Sequence, residues 1–237
     1  MPGLPALSNI LPSGLAITAL VAALSLSLAS GLRAYLPLLA VLVGHSIDPT
    51  VIQLSPPFQQ FINQVGAPWI ITVLAILVAG ETLIDKIPII DHLSDLFHTI
   101  VRPVAGGIVM AAIANPISNT HPWAAAIIGG GLALIVHSTK AVARPAATLT
   151  TAGLANPVIS IAEDFLVVAI SILAIAAPYI AIILIILLAL VAVRLVIALF
   201  RRARRVGGRR GNPPAPARTA GTAGSGDTTI PLGGGIV

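Results

Sequence analysis

Ionisable side chains are concentrated in one short stretch of a chain that is otherwise strongly apolar. Only 9% of the 237 residues are charged, while 57% are hydrophobic, yet half of the eight carboxylates lie between residues 81 and 102. Charged groups inside or at the edge of a membrane are costly, so this stretch is the first candidate for a functional site. Its ionisable residues are Glu81, Asp85, Lys86, Asp91, His92, Asp95, His98 and Arg102.

The second half of this stretch has helical spacing. Asp91, Asp95, His98 and Arg102 stand at i, i+4, i+7 and i+11, and on a helix they would form one stripe. Carboxylates and imidazole on adjacent turns are plausible ligands of a divalent metal ion. A charged helix face that is hydrogen-bonded to its neighbours explains the pattern equally simply, and we favour it, so no metal is assigned and any cofactor stays unknown. Pro88 is expected to end the preceding helix, which would place the stripe on a short separate helix.

A second polar segment runs from residue 137 to residue 164. Its candidate site residues are His137, Lys140, Arg144, Asn156, Glu163 and Asp164. The first three are spaced at i, i+3 and i+7, which predicts a basic stripe on a helix. Asn156 followed by proline is typical of a helix start, which would place the two carboxylates nearly two turns into the next helix.

The basic residues have two interpretations. Lys140, Arg102 and Arg144 could bind a phosphate or a carboxylate. They could equally mark the membrane boundary, with their charged ends reaching toward water.

The acidic residues are similarly ambiguous. Glu81 and Glu163 could relay protons, or they could neutralise Arg33 or Lys86. The economical arrangement is mutual pairing of the acidic and basic residues around a polar cavity at one membrane face, because opposite charges offset each other's desolvation.

The elements that would position these residues are membrane helices. The mean hydropathy of +1.00 and several runs near the 18 to 20 apolar residues that cross a bilayer predict an all-α, polytopic membrane protein with six or seven transmembrane segments. Pro178 gives a natural break in the last long run. An alternative makes 13–46 one broken helix. The apolar segments are 13–29, 32–46, 67–85, 103–118, 122–140, 159–177 and 178–200.

The distribution of basic residues predicts the topology. Segments 48–66 and 118–122 contain no Lys or Arg, whereas the segment after residue 200 is rich in arginine. The excess of basic residues in cytoplasmic segments therefore predicts a cytoplasmic C-terminus and an N-terminus outside.

Within the first outer segment, apolar residues from Phe58 to Val65 follow helical spacing, which indicates a short amphipathic helix on the membrane surface.

Partners and domain boundaries follow from composition. We expect the lipid bilayer as a partner, with anionic headgroups at Arg201–Arg210, and no nucleic acid. The sequence leaves a monomer and a homo-oligomer open. The chain has no cysteine, which excludes thiolate chemistry. We divide it into an N-terminal segment, 1–12, a transmembrane domain, 13–200, and a basic segment with a disordered tail, 201–237.

Three segments carry a family resemblance: SGLRAYLPLL, GETLIDKIPIIDHLSDLFHTIVRPVAG and KAVARPAATLTTAGLANPVISIAED. They resemble the bacterial integral-membrane family catalogued as domain of unknown function 4126, over about residues 13–178. The resemblance implies a location in the bacterial cytoplasmic (inner) membrane, and the family has no activity to carry over. The last apolar segment, the arginine cluster and the tail look like additions to the family core.

Three functions remain open from the sequence. The leading hypothesis is a small permease or lipid-handling protein with a charged site that faces the cytoplasm. A membrane enzyme that acts on a lipid or phosphorylated headgroup is the second, although no complete catalytic motif is present. The third is a non-catalytic scaffold whose charges only specify helix packing.

Overall fold

The computed structural model describes residues 14–84, 91–151, 154 and 156–209. These residues form α-helices, with no strand beyond an isolated bridge between Leu54 and Ile113, so the predicted all-α class is confirmed. The helices are α1 (Gly14–Ser30), α2 (Tyr35–Ile47), α3 (Pro56–Val65), α4 (Ala67–Ile84), α5 (Asp91–Ala112), α6 (Pro116–Thr120), α7 (Pro122–Thr151), α8 (Asn156–Ala176) and α9 (Pro178–Arg209).

Several of these helices suit a bilayer. By length and composition, Ala67–Ile84, Pro122–Val142 and Pro157–Ala176 can cross a membrane. Shorter apolar helices add to them: Gly14–Ser30, Tyr35–Ile47, Phe97–Ala112 and Pro178–Val191. The chain is therefore a membrane-embedded helical protein, whereas six or seven spans stays a prediction.

The distribution of side chains is the inverse of that in a water-soluble domain. On α4, Trp69, Val73 and Ile76 are exposed, whereas Arg33 and Arg102 are fully buried. Apolar surface of this kind is stable against lipid hydrocarbon, and charges that would face lipid are turned into the bundle.

Close packing between α5 and α7 forms the centre of the bundle. A Cβ atom on Gly129 of α7 would overlap the carbonyl oxygen of Gly106 on α5. Membrane helices approach this closely where glycine removes the side chain, because dispersion contacts replace the hydrophobic effect as the driving force. Helix α1 packs onto the α5–α7 pair, and α8 packs onto α1 and α2.

Helices α1 and α2 form a hairpin. The N-terminal half of α1 and the residue Ile175 of α8 line the same cavity. Gly44, near the end of α2, packs against the side chains of Ile52 and Ile175, so α2 returns to the end of the bundle where α1 begins. The alternative of one broken helix over 13–46 is therefore wrong. The turn at residues 31–34 lies at the opposite end.

Two proline positions were misjudged from the sequence. The sequence predicted an apolar segment over 103–118 and a separate short helix before it. The structure has instead one continuous helix, α5, with Pro103 inside it. Likewise α7 continues through Pro145 to Thr151 instead of ending near 140. A proline inside a helix removes one hydrogen bond, and a membrane helix tolerates this loss where neighbouring helices pack around the freed carbonyl.

Other boundaries follow the predictions. Helix α8 begins at Asn156, α7 at Pro122 and α9 at Pro178. The amphipathic segment forms α3, which begins at Pro56. The chain divides into two units, Met1–Phe200 and Arg201–Val237, and the bundle described here belongs to the first.

Candidate functional site

Charged residues from five parts of the chain meet at the end of the bundle where α1 turns into α2. We call this group the charge cluster. Its members lie in the α1–α2 turn and on α4, α5, α7 and α8. They are Arg33, Glu81, His98, Arg102, His137, Lys140, Glu163 and Asp164.

Glu81 of α4 caps the N-terminus of α2. The backbone N–H of Ala34 donates to Glu81 Oε1 at 3.1 Å and that of Tyr35 to Oε2 at 3.5 Å. The first N–H groups of a helix have no intrahelical acceptor and carry partial positive charge, so a carboxylate is favoured there. Ala34, at the N-cap position, provides no side-chain cap itself, and the carboxylate of another helix takes that place.

Two α5 side chains approach the same carboxylate. His98 Nε2 lies 3.5 Å from Glu81 Oε1, and Arg102 Nη2 lies 3.6 Å from it. Glu81 is 3% exposed and Arg102 is 0% exposed, so this pair is removed from solvent. The long Arg102–Glu81 distance makes it an ion pair rather than a hydrogen bond.

Arg102 also fixes the protonation state of a histidine on α7. Its Nη1 lies 2.8 Å from His137 Nδ1. A guanidinium group can only donate, so Nδ1 accepts and the imidazole of His137 is neutral with its proton on Nε2. That Nε2–H donates to Thr99 Oγ1 at 3.1 Å.

Arg33, in the α1–α2 turn, reaches α8. Its Nη2 lies 2.7 Å from Asp164 Oδ1 and donates to Ser160 Oγ at 2.9 Å. The arginine side chain is almost completely buried, whereas that of Asp164 is about a fifth exposed. This ion pair is therefore reachable from the turn end of the bundle through Asp164.

Lys140 of α7 makes the third ion pair. Its Nζ lies 2.6 Å from Glu163 Oε2 and donates to the carbonyl oxygen of Leu32 at 3.3 Å. Leu32 lies just beyond the C-terminus of α1, where free carbonyl groups carry partial negative charge. A cation thus holds the end of α1, and a carboxylate holds the start of α2.

The described cluster is balanced in charge. Its three carboxylates each pair with one of its three cationic side chains. Burying an ion costs several kcal/mol, which a partner of opposite charge offsets only with good geometry. Two nitrogens of Arg102, Nε and Nη2, have no hydrogen-bond acceptor among the described residues. The Glu81–Arg102 part of the cluster is therefore the least completely compensated.

The remaining sequence candidates lie outside this description. Asp85 and Lys86 are outside the described residues. The same holds for the side chains of a further group, whose backbones belong to α5, α7 and α8: Asp91, His92, Asp95, Arg144 and Asn156.

Some contributors were missed from the sequence. Ser160, which binds Arg33, precedes Asp164 by four residues and so shares its face of α8. Thr99, the acceptor for His137, is one turn before Arg102 on α5. Helical periodicity places both residues beside the charged residues of the cluster. Neither was identified from the sequence, because an uncharged hydroxyl does not stand out in it.

The chemistry available to this arrangement is charge binding and proton exchange. The residues include carboxylates, cationic side chains and two imidazoles, which are the groups that bind charged ligands and carry protons inside membrane proteins. Within the described residues, no group of three or more His, Asp or Glu side chains is placed to hold a metal ion. The metal interpretation of Asp91, Asp95 and His98 stays an untested expectation.

Comparison with known proteins gives a family and no activity. No curated protein and no solved structure matches the chain. The family model described as "Domain of unknown function (DUF4126)" matches residues 20–198, which extends the family region beyond the predicted limit of 178 and through most of α9. With the match covering most of the bundle and all of the charge cluster, the chain belongs to the DUF4126 family.

Proposed function

We propose that this protein is a small permease or lipid-handling protein of the bacterial inner membrane, and that the charge cluster is its polar site. The burial of three ion pairs at an interrupted helical hairpin carries the proposal. Charged groups inside a membrane protein usually mark substrate or proton pathways, because their desolvation is expensive and packing alone can be achieved with apolar residues.

The length of the hairpin supports this. Helix α1 has 17 residues and α2 has 13, which corresponds to about 26 Å and 20 Å. Both are shorter than a bilayer core of about 30 Å. If the other ends of these helices lie at one membrane surface, Arg33 and its partners lie below the opposite surface. Interrupted or short helices whose ends carry polar groups at depth are typical of transport sites.

A scaffold is the competing function, and the complete pairing of charges favours it. Among the described residues, each carboxylate of the charge cluster has a cationic partner within the chain. Such a network could simply fix which helices pack together. The two functions differ in what an apolar replacement of one pair would do.

The test is the double variant Lys140→Met with Glu163→Met. Replacing a buried ion pair by apolar residues of similar volume is often neutral or stabilising, so the variant should fold. Purified protein in liposomes is assayed for movement of fluorescent phosphatidylglycerol between leaflets and for proton entry with an internal pH dye. The control is Asp48→Asn, which changes an exposed acid in the segment between α2 and α3.

A permease or lipid-handling protein loses at least one of these movements in the folded double variant, while the control keeps the wild-type rates. Unchanged movement in the double variant refutes the assignment of the charge cluster as the polar site. Wild-type liposomes that are no faster than protein-free liposomes in both assays also refute the proposal for these probes. We also propose that the C-terminus lies on the cytoplasmic side and that anionic lipid headgroups bind at Arg201–Arg210.

A further inference from the structure

A cavity lies at the opposite end of the bundle from the charge cluster. Its volume is about 350 Å³, and its walls come from α1, α8, the segment after α2 and the segment after α5. We call it the distal cavity. The residues that matter here are Thr18, Ala22, Ala174 and Ile175. The polar side chains of Thr18, Thr50 and Asn119 also line it, so it is not a purely apolar void.

One face of α8 joins the distal cavity to the charge cluster. Ser160, Asp164, Val167, Ser171 and Ala174 follow one another at alternating intervals of four and three residues, which places them on one side of a helix. The first two belong to the Arg33 ion pair and the last lines the cavity. The rise of a helix separates Asp164 from Ala174 by about 15 Å.

Ser171, between the two sites, has an unused hydroxyl. It is 2% exposed, and its Oγ has no hydrogen-bond partner among the described residues. Other buried serines behave differently: Ser25 and Ser30 donate to the carbonyl four residues earlier, and Ser27 donates to Gly106 on α5. Buried hydroxyls nearly always have a partner, protein or water. Because Ser171 lies one turn below Ala174 and Ile175, water from the distal cavity is a partner that would satisfy this hydroxyl.

The interval between Ser171 and Asp164 is closed by apolar side chains. Val167 and Ile170 are completely buried and pack in one cluster with Ala29 of α1. Val167, which lies on the face that joins the two sites, interrupts any continuous water chain along that face in this conformation. The cavity therefore approaches the charge cluster from one side, Asp164 is reachable from the other, and about 10 Å of α8 containing one apolar layer lies between Ser171 and Asp164.

We propose that the distal cavity is a second opening of the charge cluster, through which water and protons pass over Ser171 to the Arg33–Asp164 pair when the apolar layer at Val167 moves aside. The inference rests on the proposed function and supplies it with a pathway and a coupling ion. Two openings separated by a thin closed layer are what alternating access requires.

The absence of cysteine makes the route measurable. Single cysteines are introduced into the natural chain, which has none, as Ala174→Cys, Ser171→Cys and Ile170→Cys. The last is the matched control, since it neighbours position 171 on the same helix but belongs to the apolar cluster. The protein in sealed vesicles is treated with a small, charged, membrane-impermeant thiol reagent on the side of the distal cavity.

The expected result is labelling at positions 174 and 171 at rates at least about tenfold above position 170, because a thiol in apolar surroundings stays protonated and unreactive. Equal, slow rates at 171 and 170 overturn the proposal, since the cavity would then end blindly at Ala174. Slow labelling at 174 overturns it as well. Elution as a single symmetric peak in mild detergent checks that each variant is folded.

A second measurement addresses the closed layer. Val167→Ala should admit protons into liposomes several-fold faster than wild type, whereas Ile170→Ala, an equally buried control, should not. Equal leaks refute the assignment of Val167 as the closing residue. The labelling pattern does not depend on transport. Labelling at position 171, together with unaltered lipid and proton movement in the Lys140→Met/Glu163→Met variant, would refute the proposed function but not the second opening.

Discussion

The removal of the Glu81 charge tests whether the cluster stabilises the bundle as the geometry indicates. Glu81→Gln keeps the size and one acceptor oxygen of the side chain but removes the negative charge beside Arg102 and the N-terminus of α2. Because Arg102 is 0% exposed, it cannot turn to solvent for compensation. Removing one partner of a buried ion pair costs about 3–5 kcal/mol. For a chain of this size, that corresponds to a fall of about 6–20 °C in the unfolding midpoint.

The assay is thermal unfolding in mild detergent, followed by the helical circular dichroism signal. Asp48→Asn is the control, because it removes the same kind of charge at an exposed position and should shift the midpoint by no more than about 2 °C. The double variant Glu81→Gln with Arg102→Met should recover most of the loss, because no uncompensated charge remains.

Two outcomes would refute this reasoning. The first is that Glu81→Gln lowers the midpoint no more than Asp48→Asn does. The Glu81 carboxylate would then contribute little to stability, despite lying 3.1 Å from Ala34 N and 3.6 Å from Arg102 Nη2. If the double variant is as unstable as the sum of the single variants, Glu81 and Arg102 act independently. A recovery confined to the double variant is the signature of coupling.

Two further predictions concern packing and pH. Gly129→Ala should lower the unfolding midpoint strongly, since its Cβ would overlap the Gly106 carbonyl oxygen, whereas Gly131→Ala, with open space around it, should not; circular dichroism melts compare them. Hydrogen bonds from the hydroxyl and backbone N–H of Thr50 hold the pKa of Asp48 below the ordinary value of an aspartate. A depressed pKa in the folded state stabilises above the unfolded value and loses that contribution as the pH falls through the folded value. Thr50→Val should therefore lower the unfolding midpoint slightly near neutral pH and leave it unchanged in strong acid. Thermal melts recorded across that pH range test this.

The sequence was sufficient for the position of most helices. Long apolar runs indicated where most of the helices lie, and prolines such as Pro122 and Pro178 marked their starts because proline suits the first turn. The same residue misled at Pro103 and Pro145, where it lies inside α5 and α7. A proline at a first turn and one inside a helix look alike in sequence. The difference is made by close packing of the two helices, which local spacing does not contain.

The site was predictable as a set of residues and not as a set of pairs. Basic residues at one end of the helices, together with the carboxylates at 81 and 163–164, indicated one charged end of the bundle. The specific partners depend on tertiary packing. Glu81, for which a proton relay and pairing with Arg33 or Lys86 were both open, is paired with Arg102 and His98, while Asp164 is paired with Arg33. The distal cavity had no signal in the sequence, because segments far apart in the chain and mostly apolar form its walls.

The turn between α1 and α2 explains why these charges meet where they do. The end of α1 carries partial negative charge and receives Lys140 at the carbonyl of Leu32, while the start of α2 carries partial positive charge and receives Glu81 at Ala34. The helix dipoles thus fix the sign of each ligand. Arg33, between the two, connects the same turn to α8. A shift of this turn would therefore change the ion pairs to α4, α7 and α8 together. Of the described ion pairs, only Arg33–Asp164 contains a side chain of the turn, but the backbone at the turn also binds Glu81 and Lys140, so one movement of the turn would disturb a member of each pair.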